Sequence, residues 1–450
     1  MEGISLRLND CNVKSNPMFG AHDPSMMWDP VTKKHYSYST DVYMPEHGLT
    51  EKIGIPVRVS EDLVHFQYEG IVLSNNAIEE GRDNQQEPKT VNFWAPYVEY
   101  VEGEYRMYYS ATKAFGSDES RIWLAVADNP KGPFENRGVV MDSWGLQGNH
   151  PNAIDAHVIW VQETPWLLYG SFFGGIYIKQ LEKKTGLCKS GDPKEVGICL
   201  SRKAKEPLLD GPEGASICYN KENGYFYLFQ SYGWLGDTYD IRVGRSKSVT
   251  GPYVDERGRT LVEESMGRKI AGSYRFSMNE QLEEEIASHG NPKWAWGGFR
   301  GPGHGVPYFN PMTNEFFFVH HIRDGAAIYR SYDEIEQRDS YSMHYMMIRK
   351  MFFQDGWPLL SPEPYEGERN ELISPDEGEG EWEVIEFTED GNQQASSKNV
   401  FLKKEDEILQ NGVLHRCLDF EQGKRNLCVA GFYETGIAYW GKFVIDLKKL

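Results

Sequence analysis

Short runs of aromatic and β-branched residues alternate along the chain with stretches rich in Gly, Pro, Asn and Asp. Such runs favour pleated strands, and the residues between them favour turns. Long patterns with the helical spacing of apolar residues are rare before the C-terminal half. The pattern therefore predicts an all-β protein made of many short strands.

Five of the aromatic runs resemble one another and predict a repeat. They lie at residues 36–39, 105–110, 166–171, 225–229 and 316–319, and their starts are 69, 61, 59 and 91 residues apart. A repeat of this length with several short strands in each unit is typical of a β-propeller with long loops. We therefore predict five blades. The alternative is a β-sandwich in which the aromatic clusters arise by chance.

The repeats end near Leu360, and a different composition follows. Residues 371–390 include nine acidic and no basic residues, which is typical of a solvated linker. Short apolar runs separated by glycine come after it. We predict a catalytic propeller over residues 1–368 and a small C-terminal β-barrel or β-sandwich over residues 369–450.

The composition and net charge of the chain limit the classes of molecule that it is expected to bind. Hydrophobic residues make up 40% of the chain, enough for a large core, and 67 acidic against 47 basic residues give a net charge of −20. Because binding to phosphates needs clustered Lys and Arg, a nucleic-acid partner is not expected, whereas a neutral polysaccharide is compatible with this charge. The oligomeric state is left open.

The sequence also carries expectations about membranes and location. It has no run of about 18 apolar residues, so we expect no membrane-spanning segment. Its first residues lack a basic region followed by an apolar stretch, which is the pattern of a signal peptide. We therefore expect a cytoplasmic protein, or a secreted one if a leader precedes these residues.

One polar or aromatic residue stands 11 to 13 positions before each aromatic run: Asp23, Trp94, Asp155, Glu213 and His304. In a propeller the first strand of each blade lines the central channel, so residues at a common register converge on one pocket. Taken singly, each has an ordinary structural explanation: the acids fit turns or strand ends, the histidine a hydrogen-bonded core position, and the tryptophan core packing. The shared spacing favours function for all five together.

Three carboxyl groups beside an aromatic wall suit the cleavage of a glycosidic bond. One carboxylic acid protonates the leaving oxygen, and a second carboxylate activates water or attacks the sugar. The acid needs a raised pKa, which a neighbouring carboxylate supplies because close like charges resist joint ionisation. Three acids therefore have three plausible roles.

These residues carry a resemblance to a known family. The matching stretches are His22-Asp23-Pro24-Ser25, Trp94-Ala95-Pro96, Asn152-Ala153-Ile154-Asp155 and Gly211-Pro212-Glu213. Over residues 18–368 the chain resembles glycoside hydrolase family 43, and most closely its two-domain arabinanases. The resemblance implies a five-bladed propeller and inversion at the anomeric carbon. It also implies that Asp23 is the general base, Glu213 the general acid and Asp155 the group that raises the pKa of the acid.

The resemblance implies further site residues. His304 is similar to an axial histidine beside a metal ion, usually taken as calcium and held largely through waters. Trp94 and Phe115 are similar to aromatic platforms for sugar rings. The positions implied to contact substrate hydroxyls are His22, Asn152 and Ser171.

The sequence departs from the family pattern at Tyr97, at Ala156-His157 and at Gly214-Ala215. These departures leave the three acids in place but affect the expected substrate length and cleavage mode. Long charged loops at residues 75–90 and 262–299 are candidates for closing one end of a groove.

We predict an inverting arabinan endo-1,5-α-L-arabinosidase acting on arabinan or arabino-oligosaccharides, with exo action left open. The enzymatic alternative is an α-L-arabinofuranosidase or β-xylosidase of the same family, because the same acids serve all of these activities. The alternative from another class is a propeller that binds glycans without cleaving them.

Overall fold

The computed structural model describes residues 12–42, 53–82, 93–203, 211–236, 238–277, 298–325, 344–371, 373–389, 394–419 and 423–444. Most of these residues lie in antiparallel strands. The helices whose bounds are described are α1 (Asn75–Arg82), α2 (Glu407–Asn411) and a 3₁₀ turn (Pro375–Gly378). The prediction of an all-β protein is confirmed. None of the described helices has the length and apolar character needed to cross a membrane.

The first four sheets each contain four strands in chain order. Sheet 1 consists of β1 (His22–Asp29), β2 (Lys34–Thr40), β3 (Pro56–Ser60) and β4 (Phe66–Ile71). Sheet 2 consists of β5 (Phe93–Val101), β6 (Glu104–Thr112), β7 (Ser120–Ala127) and β8 (Glu135–Asp142). Sheet 3 consists of β9 (His157–Val161), β10 (Thr164–Tyr169), β11 (Ile176–Gln180) and β12 (Ile198–Ser201). Sheet 4 consists of β13 (Glu213–Asn220), β14 (Tyr225–Tyr232), β15 (Asp240–Ser246) and β16 (Arg268–Ala271).

The fifth sheet is larger. It consists of β17 (Tyr274–Arg275), β18 (Phe299–Asn310), β19 (Glu315–Asp324), β20 (Tyr345–Gln354), β21 (Trp357–Leu360) and β23 (Ala395–Ser396). The last of these comes from beyond the repeats and pairs in parallel with β17. The five aromatic runs form the second strand of each repeat, and their tyrosines and phenylalanines are buried, except for the partly buried Tyr225 and Phe316, because both faces of these strands are covered.

A sixth sheet follows the repeats. Its strands are β22 (Gly380–Phe387), β24 (Lys398–Leu402), β25 (Val413–Asp419), β26 (Lys424–Phe432) and β27 (Ala438–Phe443). The two faces of β22 contribute to two hydrophobic cores. Trp382 packs with Leu409 and Tyr439 in one core, whereas Ile385, on the other face, packs in the core that contains residues of the fifth sheet. Trp440 meets Tyr274 of the fifth sheet edge-on, with 5.1 Å between ring centroids.

The N-terminal ends of the first strands position the predicted site. Four of the first strands carry a bulge there, and each repeat has a residue with φ between 42° and 63° at this end, to which the fifth repeat adds Gly301. These left-handed residues are Asp23, Ala95, Asp155, Gly214 and His304. A bulge re-aims the side chains beside it, so these residues and their neighbours turn toward one space.

Candidate active site

A pocket of about 470 Å³ lies at the N-terminal ends of the first strands. It brings together predicted residues from all five repeats: His22, Asp23, Trp94, Phe115, Asp155, Glu213 and His304. Thr40, Asp41, Trp234, Tyr239 and His321 also line it, and the sequence reasoning did not identify them.

Asp23 lies among three imidazoles. Its Oδ1 is 3.1 Å from Nδ1 of His304, 3.3 Å from Nδ1 of His321 and 3.4 Å from Nε2 of His22. Thr40 donates a hydrogen bond of 2.6 Å to Oδ2. Burial alone would raise the pKa of Asp23, but the charges of His22 and His304 and the hydrogen bond from His304 hold that pKa well below its usual value. Asp23 is therefore a carboxylate at neutral pH.

Asp155 and Glu213 are carboxyl groups with raised pKa values. Burial raises the pKa of Asp155 to about 6, and the nearby charge of Asp23 adds to this shift. Burial, followed by the charge of Asp155, raises the pKa of Glu213 to about 8. Glu213 is consequently protonated at neutral pH, the state that a general acid requires.

Both carboxyl groups accept hydrogen bonds from the protein, and a hydrogen bond from Tyr239 opposes the rise in the pKa of Glu213. Gly214 donates its backbone N–H to Oδ2 of Asp155 at 3.1 Å, and Ser171 donates its hydroxyl to Oε2 of Glu213 at 3.1 Å. Oε1 of Glu213 is buried and has no hydrogen-bond partner among the described residues. Residue 214 has to be glycine, because a Cβ there would lie 2.9 Å from the Cα of His304.

His304 is the candidate metal ligand. Burial alone would lower its pKa, but the carboxyl groups of Asp23 and Asp155 raise it to about 9. Calcium prefers oxygen donors, and each of the three acids already accepts a hydrogen bond from the protein. The protein atoms around His304 therefore fit calcium only if water provides most of the oxygen ligands.

A second group of histidines lies behind Asp23. One ring nitrogen from each of His22, His321 and His344 lies within 4.8 Å of the other two, and both nitrogens of His344 lack partners among the described residues. Burial lowers the pKa of each ring, although the charge of Asp23 opposes this shift at His22. The rings of His22 and His344 are stacked at 4.2 Å. Stacked rings place their in-plane lone pairs side by side, which disfavours a single ion held by both His22 and His344.

Aromatic side chains form the outer part of the pocket. Trp94 and Phe115 meet edge-on with 6.4 Å between ring centroids, and Phe115 is 73% exposed. Trp234, which the sequence reasoning missed, is 44% exposed and lines the same pocket. It follows the fourth aromatic run as Phe115 follows the second, and this similar placement was the available signal.

Two predicted residues lie behind the pocket wall. Asn152 is 4% exposed, and its Nδ2 donates a hydrogen bond of 3.1 Å to the carbonyl oxygen of Ser117. Ser171 is 1% exposed and contacts Glu213 as described above. Neither side chain lines the pocket.

Two departures from the family pattern meet at another cavity. The rings of Tyr97 and His157 contact each other edge-on at 4.7 Å, and both line a cavity of about 610 Å³. Tyr219 and Phe309, near the C-terminal ends of β13 and β18, line it too. These departures therefore lie away from the acids. Of the candidate groove-closing loops, residues 83–90 and 278–297 lie outside the described residues.

Comparisons with known proteins agree with this site. The model of glycosyl hydrolases family 43 matches residues 16–358. An extracellular endo-α-(1→5)-L-arabinanase of Thermotoga petrophila is 29% identical over 398 residues, which are 81% of this chain and 75% of the relative. Extracellular endo-α-(1→5)-L-arabinanase 2 of Bacillus subtilis is 30% identical over 370 residues, which are 74% of this chain and 71% of the relative.

A solved structure is similar over nearly the whole chain. The crystal structure of endo-1,5-α-L-arabinanase from Thermotoga petrophila in complex with TRIS matches with a TM-score of 0.75 and 25% identity. The match covers 94% of this chain and 98% of the other.

The relatives correct the expected location. The sequence reasoning predicted a cytoplasmic protein from the first residues of the chain. That prediction is wrong, because the similar enzymes of Thermotoga petrophila and Bacillus subtilis are both named as extracellular.

The family itself follows from the extent of the match. Residues 16–358 make up most of the chain and contain every predicted site residue. The resemblance predicted from the motifs and the prediction of a glycoside hydrolase are both confirmed, and this chain belongs to glycosyl hydrolases family 43.

Proposed function

We propose that the protein is an inverting endo-1,5-α-L-arabinanase that hydrolyses linear α-1,5-linked arabinan. The observation that carries the proposal is the division of pKa values in one pocket: that of Asp23 is held well below its usual value, and that of Glu213 is raised to about 8. One carboxylate and one carboxylic acid at neutral pH are what the reaction requires. The names of the two similar enzymes support arabinan as the substrate.

In the proposed reaction, Asp23 accepts a proton from a water molecule as the water oxygen attacks the anomeric carbon. The bond from that carbon to the leaving oxygen breaks, and Glu213 gives its proton to the leaving oxygen. Asp155 keeps Glu213 protonated through its nearby charge. The product has the opposite anomeric configuration, because water enters on the face opposite to the leaving group.

We propose that Trp94, Phe115 and Trp234 hold sugar rings on either side of the acids. This proposal is supported by the exposed aromatic surface beside the acids. The apolar faces of sugar rings pack well on such surface. His22 is proposed to hold Asp23 and to contact the sugar bound next to it.

We propose that the five sheets are the blades of a closed propeller within residues 1–368, and that residues 369–450 form a second β-domain. Two contacts support closure. Phe19 forms an isolated antiparallel bridge with Tyr345 of the fifth sheet, and the backbone N–H of Asp23 donates to Nδ1 of His321 at 3.2 Å. The separate core around Trp382 supports the second domain.

We propose that a calcium ion binds beside His304. His304 would provide one nitrogen ligand and water the other ligands, and the ion would add positive charge beside the three acids. The test is thermal unfolding with added calcium or after chelation. We expect calcium to raise the midpoint temperature and the variant His304→Ala to lose that response; an equal response in both proteins would contradict the assignment.

We propose that the enzyme acts outside the cell, as its relatives' names indicate. The disulfide between Cys417 and Cys428 supports this, because such bonds persist in oxidising compartments.

The central experiment is incubation with debranched linear arabinan, with products followed by size and anomeric configuration. A ladder of mixed oligosaccharides with inverted configuration is expected, and Glu213→Gln should abolish it. A single short product from the start would contradict endo action. Turnover of an aryl arabinofuranoside or xyloside alone would contradict the substrate, and binding without any product would indicate a glycan-binding propeller.

A further inference from the structure

Second-strand side chains link neighbouring sheets beneath the pocket. In four of the five sheets, one such side chain accepts a hydrogen bond from the backbone N–H of the left-handed residue in the next sheet. The pairs are Thr40 with Ala95 at 2.8 Å, Ser110 with Asp155 at 3.2 Å, Ser231 with His304 at 3.0 Å, and His321 with Asp23 at 3.2 Å.

The third sheet differs from the others. The corresponding side chain is Ser171, and the left-handed residue of the next sheet is Gly214. The backbone N–H of Gly214 donates to Oδ2 of Asp155, so it leaves the Ser171 hydroxyl available. That hydroxyl donates instead to Oε2 of Glu213 at 3.1 Å.

The backbone holds Ser171 on both sides. Gly170 donates its N–H to the carbonyl oxygen of Ile154 at 2.9 Å, and Phe172 donates its N–H to the carbonyl oxygen of Pro212 at 2.8 Å. With the backbone anchored to both neighbouring segments and the side chain 1% exposed, the hydroxyl has a fixed direction and little access to a sugar.

This bond has a consequence for the proton on Glu213. In a protonated carboxyl group, the oxygen that accepts a hydrogen bond is favoured as the carbonyl oxygen, and the other oxygen then carries the proton. Since Oε2 accepts from Ser171, the proton is favoured on the buried Oε1.

We propose that Ser171 is a positioning residue that selects Oε1 of Glu213 as the proton-donating oxygen. This role rests on the proposed function of Glu213 as general acid. It replaces the direct contact with substrate that the family resemblance implied for Ser171. When Oε1 has lost its proton, the same hydroxyl stabilises the carboxylate through Oε2.

Substrates with different leaving groups distinguish a residue that positions the general acid from a residue that contacts the sugar. Protonation by a general acid matters for a basic leaving oxygen and little for an acidic phenol, which departs without it. Loss of a positioning residue for the acid therefore depends on the leaving group, whereas loss of a sugar contact affects all substrates alike and raises KM.

The test compares Ser171→Ala with Ser231→Ala, whose hydroxyl occupies the same place in the next sheet but bonds to backbone. Substrates are the 4-nitrophenyl glycoside and the alkyl glycoside of one α-1,5-arabino-oligosaccharide. For Ser171→Ala we expect kcat on the alkyl glycoside to fall about 10-fold to 100-fold, less than the about 100-fold to 10,000-fold that a general acid contributes in full, with little change on the 4-nitrophenyl glycoside. KM should stay constant, and Ser231→Ala should affect both substrates equally.

An equal loss on both glycosides, or a rise in KM with kcat unchanged, would overturn the proposal. Circular dichroism and the thermal midpoint of each variant confirm that it is folded. If the wild type prefers another pentoside, the same pair of leaving groups on that sugar tests Ser171, so the substrate assignment and the role of Ser171 are judged separately.

Discussion

Gly303 and Tyr239 are in such close contact that a Cβ on residue 303 would lie 1.9 Å from the tyrosine ring. Tyr239 is 1% exposed, and its ring stacks on that of His321 with 5.6 Å between centroids. His321 in turn accepts the backbone N–H of Asp23. The absence of a side chain at Gly303 thus allows Tyr239 to stack on His321, the residue that accepts the backbone N–H of the proposed base.

Gly303→Ala should therefore displace the Tyr239 ring. We expect it to lower the free energy of unfolding by about 1 to 3 kcal/mol, as overpacking does, and to reduce kcat. Denaturant unfolding measures the first effect and arabinan hydrolysis the second. The double variant Gly303→Ala, Tyr239→Ala removes the clash, so its destabilisation should be smaller than the sum of the two single changes. Strict additivity would show that the two residues do not interact.

The pH dependence of kcat/KM should have its alkaline limb near the pKa of Glu213, about 8. Glu213 must be protonated to act as acid, so activity is present below this pKa and is lost as the pH rises through it. The acidic limb should lie well below pH 4, because the pKa of Asp23 is well below its usual value. An alkaline limb that is absent would contradict the role of Glu213.

Asp155→Asn should shift the alkaline limb of the pH dependence of kcat/KM. The charge of Asp155 is, after burial, the second cause of the raised pKa of Glu213, and asparagine removes the charge with little change in shape. We expect the alkaline limb to move to lower pH and kcat at neutral pH to fall. Asp118→Asn, on an exposed part of the chain, is the matched control and should leave the limb in place. A limb unchanged by Asp155→Asn would contradict the electrostatic role.

Much of this site could be predicted because the residues that line the first strands recur at a nearly constant distance from the aromatic runs. The spacing missed a difference of one position: Asp23, Asp155 and His304 are left-handed, but Trp94 and Glu213 precede the left-handed Ala95 and Gly214. Spacings that vary from 11 to 13 residues do not resolve a difference of one position.

Other site residues could not be predicted because their partners are distant in sequence. Thr40 reaches Ala95 across 55 positions, and His321 reaches Asp23 across 298. Neither stands in a motif, and only the packing of one sheet beside the next brings them to the pocket. The same holds for Tyr239, whose place depends on a glycine in another sheet.

Trp234→Ala should raise KM for arabino-oligosaccharides several-fold with a smaller effect on kcat, because the side chain lies on the pocket wall and is half-exposed to the substrate space. Initial rates on oligosaccharides of increasing length provide the measurement. Phe401→Ala removes a ring that is 61% exposed on the sixth sheet and serves as control. Equal KM values for wild type and Trp234→Ala would exclude Trp234 as a sugar platform.

Lys442→Ala should destabilise the sixth sheet. Lys442 is 2.8 Å from Glu363 and 2.9 Å from Asp419, and all three side chains are at most 5% exposed. Removing the lysine leaves two buried carboxylates without this cation, which costs about 3 to 5 kcal/mol for a buried pair. Thermal unfolding should show the loss. Lys404→Ala, whose partner Asp376 is 70% exposed, should have almost no effect.

Each of the first four sheets is built from one unbroken stretch of chain, with its strands hydrogen-bonded in the order of synthesis. Such a sheet can form from local hairpins while its neighbours are still unfolded, which keeps the entropy loss of closing each hairpin small. The fifth sheet is different, since its edge strand β23 arrives from beyond the repeats. We expect hydrogen exchange to report the first four sheets as separate cooperative units, and the fifth to gain protection together with the C-terminal residues.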